Sequence, residues 1–271
     1  MEEKFFWAAR NCEVEKTKEI LRKKPNLNVN WKNEAEFGHS TALHQACYSG
    51  LDSIVSILLA HPRIDVNLKD DLGCTPFLVA CRSRSASCAC LLLKDSRVKV
   101  NEPSDRGHTP LWNAARFGCL DIIMWWIGSG REVDLGKPGN ELTDAIEQSK
   151  DIVNWEEDDD DKKTQVEITR LLENFKYYPK ETRYQVRARL GWCDEAAAEI
   201  FALVVFVSDG LLKTKATKVK TGAKKTRFFL ISSQLPLELQ MVLCYRLAGS
   251  AKEIIHNTDS EAAFRELAKR I

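Results

Sequence analysis

Threonine returns at one constant interval through the middle of this chain, at Thr41, Thr75, Thr109 and Thr143. A fixed period of this size means one short supersecondary unit stacked several times, because such a unit cannot bury its own apolar face. The residues around the threonines repeat in phase: TALHQAC at 41–47, TPFLVAC at 75–81 and TPLWNAA at 109–115. An apolar stretch follows each one, IVSILLA at 54–60, CACLLLK at 88–94 and IIMWWIG at 122–128. Each copy then closes on an extended dipeptide, Val66-Asn67, Val100-Asn101 or Val133-Asp134, and an earlier copy closes on Val29-Asn30 after EKTKEILRK.

Local chemistry predicts two helices per copy. A threonine hydroxyl at the N-cap serves the free N–H groups of the first turn. Pro76 and Pro110 fall in that first turn, where a missing N–H costs nothing. Ala46, Ala80 and Ala114 are small enough for two helices to approach closely. The N-terminal copy lacks the threonine start, opens with Phe5-Phe6-Trp7 and reads as a cap on the stack; the second carries an extra stretch at 33–37. The fifth starts near Asn140, meets the acidic run EEDDDD at 156–161, and resumes a helix over 164–175.

These phased residues resemble the ankyrin family, whose copies read D-x-x-G-x-T-P-L-H-x-A-A, then G-H-L-x-I-V-x-L-L-L, then D-V-N. Gly73 and Gly107 match the first glycine, with His39 in its place in the second copy; Gly50 and Gly118 match the inter-helix glycine, with Arg84 in its place in the third. The resemblance implies an all-α ankyrin-repeat solenoid with β-turn tips over residues 1–179, with copies near 1–33, 34–68, 69–102, 103–137 and 138–179. It implies that His44 hydrogen-bonds between repeats. It further implies protein binding on the concave face made by the turn tips and the exposed side of the first helices. Carried over by position, that face holds Trp31, Phe37, Ser40, Tyr48 and Ser49, then Leu72, Cys74, Arg82 and Ser83, then Arg106, His108, Arg116 and Phe117. Tyr48, Arg82 and Arg116 share one phase and form one row, and residues of these types are enriched in interface hot spots.

From residue 180 the period is gone, and a helical C-terminal domain is expected over 180–271. ETRYQVRARLG reads as a helix ending at Gly191, Asp194 as the cap of the next, and 196–212 as a buried helix too short for a bilayer. A basic loop follows at 213–227, then helical pieces beginning near FFLISS, LPLEL and SEAAF. LPLEL at 235–239 is similar to the start of an F-box, which gives the alternative of a ubiquitin-ligase adaptor. The basic loop gives a second alternative, nucleic-acid contact, disfavoured because no aromatic residues are interleaved to stack on bases.

Charge is split: residues 1–179 carry 24 basic and 29 acidic residues, residues 180–271 carry 16 and 10. The two regions are therefore expected to attract one another, or the basic one to face an acidic partner. Nine cysteines with no CxxC pair fit a reduced, intracellular protein, cytoplasmic with the nucleus as the alternative. Cys47 and Cys81 stand where the repeat prefers alanine and read as small hydrophobes. Trp125 and Trp126 stand where other copies carry Ile57-Leu58 and Leu91-Leu92, so they read as core. MEEKFF has no basic n-region followed by an apolar segment, so no signal peptide is expected. The acidic run lacks the glycine and ligand alternation of an EF-hand loop. No P-loop, GxGxxG, HExxH or GxSxG occurs. The expectation is therefore a monomeric scaffold that binds another protein, without catalysis, cofactor or metal.

Overall fold

The computed structural model describes residues 1–34, 38–155, 158–208, 237–248 and 263. The chain divides into two compact units, Met1–Arg183 and Tyr184–Ile271. Among the described residues there are helices and no strand, only an isolated bridge pairing Lys32 with Thr41.

The first unit is a two-layer stack. Its inner layer holds α1 (Glu2–Arg10), α3 (Ala42–Tyr48), α5 (Pro76–Arg82), α7 (Pro110–Arg116) and α9 (Ala145–Trp155), each packed on the next. Its outer layer holds α2 (Val14–Lys23), α4 (Asp52–Leu59), α6 (Ala86–Lys94), α8 (Leu120–Ser129) and α10 (Asp159–Tyr177), in the same order. Each odd-numbered helix packs on the even-numbered helix that follows it, so one pair is one copy.

The threonines act as their position requires. Thr41, Thr75 and Thr109 cap α3, α5 and α7 in extended conformation, each side chain accepting from a backbone N–H three residues on. Pro76 and Pro110 occupy the first turn. Ala46, Ala80 and Ala114 are fully buried where neighbouring inner helices meet. The fifth copy slips by one residue. There Asp144 accepts from the backbone of Ile146 and Glu147, while Thr143 accepts from Lys137 N, so α9 starts at Ala145.

Between the layers lie Leu43, Ile54, Leu58, Phe77, Leu92, Leu111, Ile122 and Trp126, all fully buried. Trp126 meets Phe77 edge-on, with ring centroids 5.0 Å apart, and donates from Nε1 to Glu132 O at 3.0 Å. Trp125 remains partly exposed, with the Lys94 ammonium 5.6 Å from its ring. Cys47 and Cys81 are fully buried thiols, pushed far above their usual pKa by burial. None of the nine cysteines forms a disulfide, and only Cys12 is exposed.

Two polar latches join successive copies. Asn30, Asn67 and Asn101 each span a joint, with Nδ2 donating to Arg63 O, Arg97 O and Glu132 O. Their Oδ1 atoms accept from Asp65 N, Lys99 N and Asp134 N. In the opposite direction Arg63, Arg97 and Arg131 donate to carbonyls of the preceding copy: Pro25 and Leu27, Leu59, and then Leu93, Asp95 and Val98.

In the second, third and fourth copies the inter-helix turn holds a left-handed residue. Gly50 and Gly118 supply it without steric cost, having no Cβ. Arg84 adopts the same left-handed conformation, at φ +58°, despite its Cβ.

Two sequence expectations are corrected. The second helix of the fifth copy begins at Asp159, five residues before Thr164, because carboxylates favour a helix N-terminus. Asp158 caps it, accepting from Asp160 N and Asp161 N. Asp194 is not a cap, since it lies inside a helix that begins at Trp192.

α11 (Pro179–Arg189) runs across the boundary at Arg183, and α12 (Trp192–Ser208) and α13 (Leu237–Leu247) follow in the second unit. Ala197, Ala198, Phe201 and Val204 of α12 form a core with Cys244 and Tyr245 of α13. The basic loop at 213–227 lies outside the described residues. So do Leu235 and Pro236 of LPLEL, and all but Ala263 of the last predicted helix.

Candidate protein-binding groove

The turn tips and the first helices border a groove made of two adjacent pockets, both lined by Leu72 and Arg82. The part toward α3, of about 440 Å³, is lined by Ser40, His44, Gln45, Tyr48 and Ser49, with Val79 behind. The part toward α9, of about 830 Å³, is lined on one side by Ser104, Arg106, His108, Trp112 and Arg116. Asp144, Glu147, Gln148 and Asp151 line it on the other.

The tips are held to one another by their backbones. Asp71 N donates to Gly38 O at 2.9 Å and Asp105 N to Leu72 O at 3.1 Å. Within a tip, Asp70 Oδ1 accepts from Leu72 N and Cys74 N. Gly73 makes the close approach possible: its φ is +69°, and a Cβ there would stand 2.5 Å from Asp105 N. His39 takes the matching glycine place in the second copy at φ +51°, with Nδ1 2.5 Å from the Asp71 carboxylate.

His44 is wholly engaged inside the stack. Its Nδ1 accepts from Thr41 N at 3.2 Å and lies 2.8 Å from Thr41 Oγ1, so Nε2–H donates to Cys74 O of the next copy at 3.0 Å. Burial is the main cause holding its pKa below the ordinary value, so the ring is neutral. The inter-repeat bond that the family resemblance implies for His44 is present.

Among the residues expected on the binding face, Tyr48 is 60% exposed, Leu72 45% and Phe117 36%. Tyr48, Arg82 and Arg116 all line the groove. Arg116 lies over the rings of Trp112 and Phe117. Its guanidinium is 5.3 Å from the first centroid and 6.0 Å from the second. His108 stacks on Trp112 with centroids 4.2 Å apart. Its pKa is lowered by burial first, then by Arg106 and Arg116, which places it in positive potential.

Other members of the expected set stand elsewhere. Ser40 is buried and accepts from Gln45 Nε2, and Cys74 is buried with its thiol pushed up to about 11, chiefly by burial. Both form the floor of the groove instead of its accessible surface. Trp31 is partly buried edge-on against Phe6. Ser83 ends α5 and lines neither part. Phe37 lies outside the described residues.

Sequence reasoning passed over Trp112 and Ser104. Trp112 is 6% exposed and Ser104 8%, yet Trp112 Nε1 and Ser104 Oγ have no hydrogen-bond partner. A buried polar group left so costs about 1–3 kcal/mol. The available signal was the period itself, because Trp112 stands in phase with His44. Among the described residues no cluster of His, Cys, Asp or Glu could hold a metal ion, and no helix is long and apolar enough to cross a membrane.

Paired helices stacked on one fixed period, with turn tips along one side, define a helical repeat solenoid. The family model for ankyrin repeats in three copies matches residues 5–103 and 44–137, and this part of the chain belongs to that family. A human relative, SMC5-SMC6 complex localization factor protein 1, is 35% identical over 71 residues. Those residues are 26% of this chain and 6% of that protein. Among solved structures, EF0377, an ankyrin repeat protein, superposes with a TM-score of 0.53 at 22% identity, over 64% of this chain and 81% of that one. Its likeness concerns the fold.

Proposed function

We propose that this chain is a monomeric adaptor that binds another protein along the groove of its repeats, with the unit after Arg183 as a separate element. The observation that carries this is the row of Tyr48, Leu72, Arg82, Arg116 and Phe117. These large side chains line two adjacent pockets, while the stack buries its own core without them. The human relative is named as a localization factor for a complex, which supports an adaptor role for the shared repeats.

The test is affinity capture from cell extract with the full chain beside a Tyr48→Ala, Arg82→Ala double variant. The variant is expected to lose the partner while its melting curve stays within a few degrees of the parent. Full retention of every captured protein by a folded variant would remove the groove from consideration.

A further inference from the structure

The groove ends in a pocket with two unanswered donors. Trp112 Nε1–H can donate and cannot accept. In phase with it, His44 gives its proton to a carbonyl of the next copy; Trp112 gives its proton to nothing. The Ser104 hydroxyl, lining the same pocket, is also unpartnered. Buried polar groups are almost always satisfied, so two that are not, in one pocket, point to an acceptor atom supplied from outside.

The charges around them narrow its chemistry. Arg106 and Arg116 line the pocket and form no ion pair among the described residues. Glu147 and Asp151 of α9 line it as well and are likewise unpaired. Cationic and anionic side chains thus border one space without meeting each other. A ligand with a single sign of charge would be repelled by one of the two sets. The pocket holds about 830 Å³, and a second pocket that includes Tyr48 adjoins it at Leu72 and Arg82. Such a space suits a few peptide residues, with room along the groove for the rest of an extended segment.

We infer that this pocket recognises a dipolar peptide segment of the partner. Its Asp or Glu carboxylate accepts from Trp112 Nε1 and Ser104 Oγ beside Arg106 and Arg116, and a nearby Lys or Arg turns to Glu147 and Asp151. The inference rests on the groove being a protein-binding face. A carboxylate is favoured over a phosphate because four carboxylates, Glu141, Asp144, Glu147 and Asp151, already line the space. Both donor atoms have almost no accessible surface, so the carboxylate reaches them only as a covering side chain, such as Arg116 over Trp112, moves aside on binding.

Indole N–H signals of the ¹⁵N-labelled full chain provide the test, with Trp112→Phe identifying the relevant one. The probe is the capped peptide Ala-Glu-Ala-Lys-Ala, beside versions with Gln for Glu, Gln for Lys, and phosphoserine for Glu. The Trp112 signal is expected to move downfield and saturate with the Glu–Lys probe. Replacing Glu by Gln, or Arg116→Gln in the protein, should weaken binding about tenfold or more, as for a lost charged hydrogen bond. No movement, or equal response to the Gln-for-Glu probe, overturns the inference. Tighter binding of the phosphoserine probe overturns the choice of carboxylate, and indifference to the Lys overturns the role of α9. If the probes fail while the Tyr48→Ala, Arg82→Ala variant still loses its captured partner, the pocket chemistry falls and the protein-binding groove stands.

Discussion

The two ends of the groove come from one template and treat one position in opposite ways. In the second copy His44 commits both ring nitrogens inside the protein, to Thr41 and to the carbonyl of Cys74. In the fourth copy Trp112 occupies the equivalent place, stacks between polar neighbours and leaves its N–H unused. Where a repeat keeps the cross-copy bond, the position serves the fold. Where it loses the bond, the stack still stands, because its core is spread over many joints.

The largest expected effect breaks the His44 end. His44→Leu puts the third copy's residue into the second and leaves Thr41 N and Cys74 O without their buried partner. A loss of about 2–3 kcal/mol is expected in chemical denaturation. A loss under about 0.5 kcal/mol would mean that the cross-copy bond is dispensable at both ends. Next is Arg84→Gly, which places the residue of the second and fourth copies into the third. It relieves a left-handed arginine. The change should stabilise by about 1 kcal/mol.

Acid should act at the same end. Burial lowers the pKa of His44 in the folded state, so the unfolded chain takes up a proton that the folded one refuses. The contribution is intact above about pH 6.5, the ordinary histidine value, and declines as pH falls below it. Melting temperatures at pH 7.5 and 5.5 should therefore differ more in the parent than in His44→Gln. The smallest effects belong to the other end and to the rim. Trp112→Phe removes an unpartnered buried donor but leaves a void where the larger ring was, two effects that offset one another, and Tyr48→Ala or Arg116→Ala removes exposed groups. Each should shift stability by about 0.5 kcal/mol or less. A large loss at Tyr48 or Arg116 would make those side chains structural.

Much of the stack was legible because its signals are local. A threonine cap, a proline in the first turn and a buried alanine each act within a few residues, and the period places them. The fifth copy was legible only in outline, because Asp144 takes over capping from Thr143 and the acidic run serves as a helix start. For the groove, phase pointed to Tyr48, Arg82 and Arg116, and all three line it. Phase alone could not show that Gln45 reaches Ser40 and closes it off, since that depends on a side chain five residues away. Trp112 was hidden by its type: a tryptophan among apolar neighbours reads as core, and only its geometry shows the N–H to be idle.

The latches between copies carry a consequence for how such a chain can be lengthened or shortened. One copy, such as 69–102, contains both Arg97, which clasps the copy before it, and Asn101, which clasps the copy after it. Male and female halves of the joint travel together, as on a railway carriage. A third copy inserted twice should couple to itself and extend the groove by one tip, whereas a cut made inside a copy strands one coupling at each broken face.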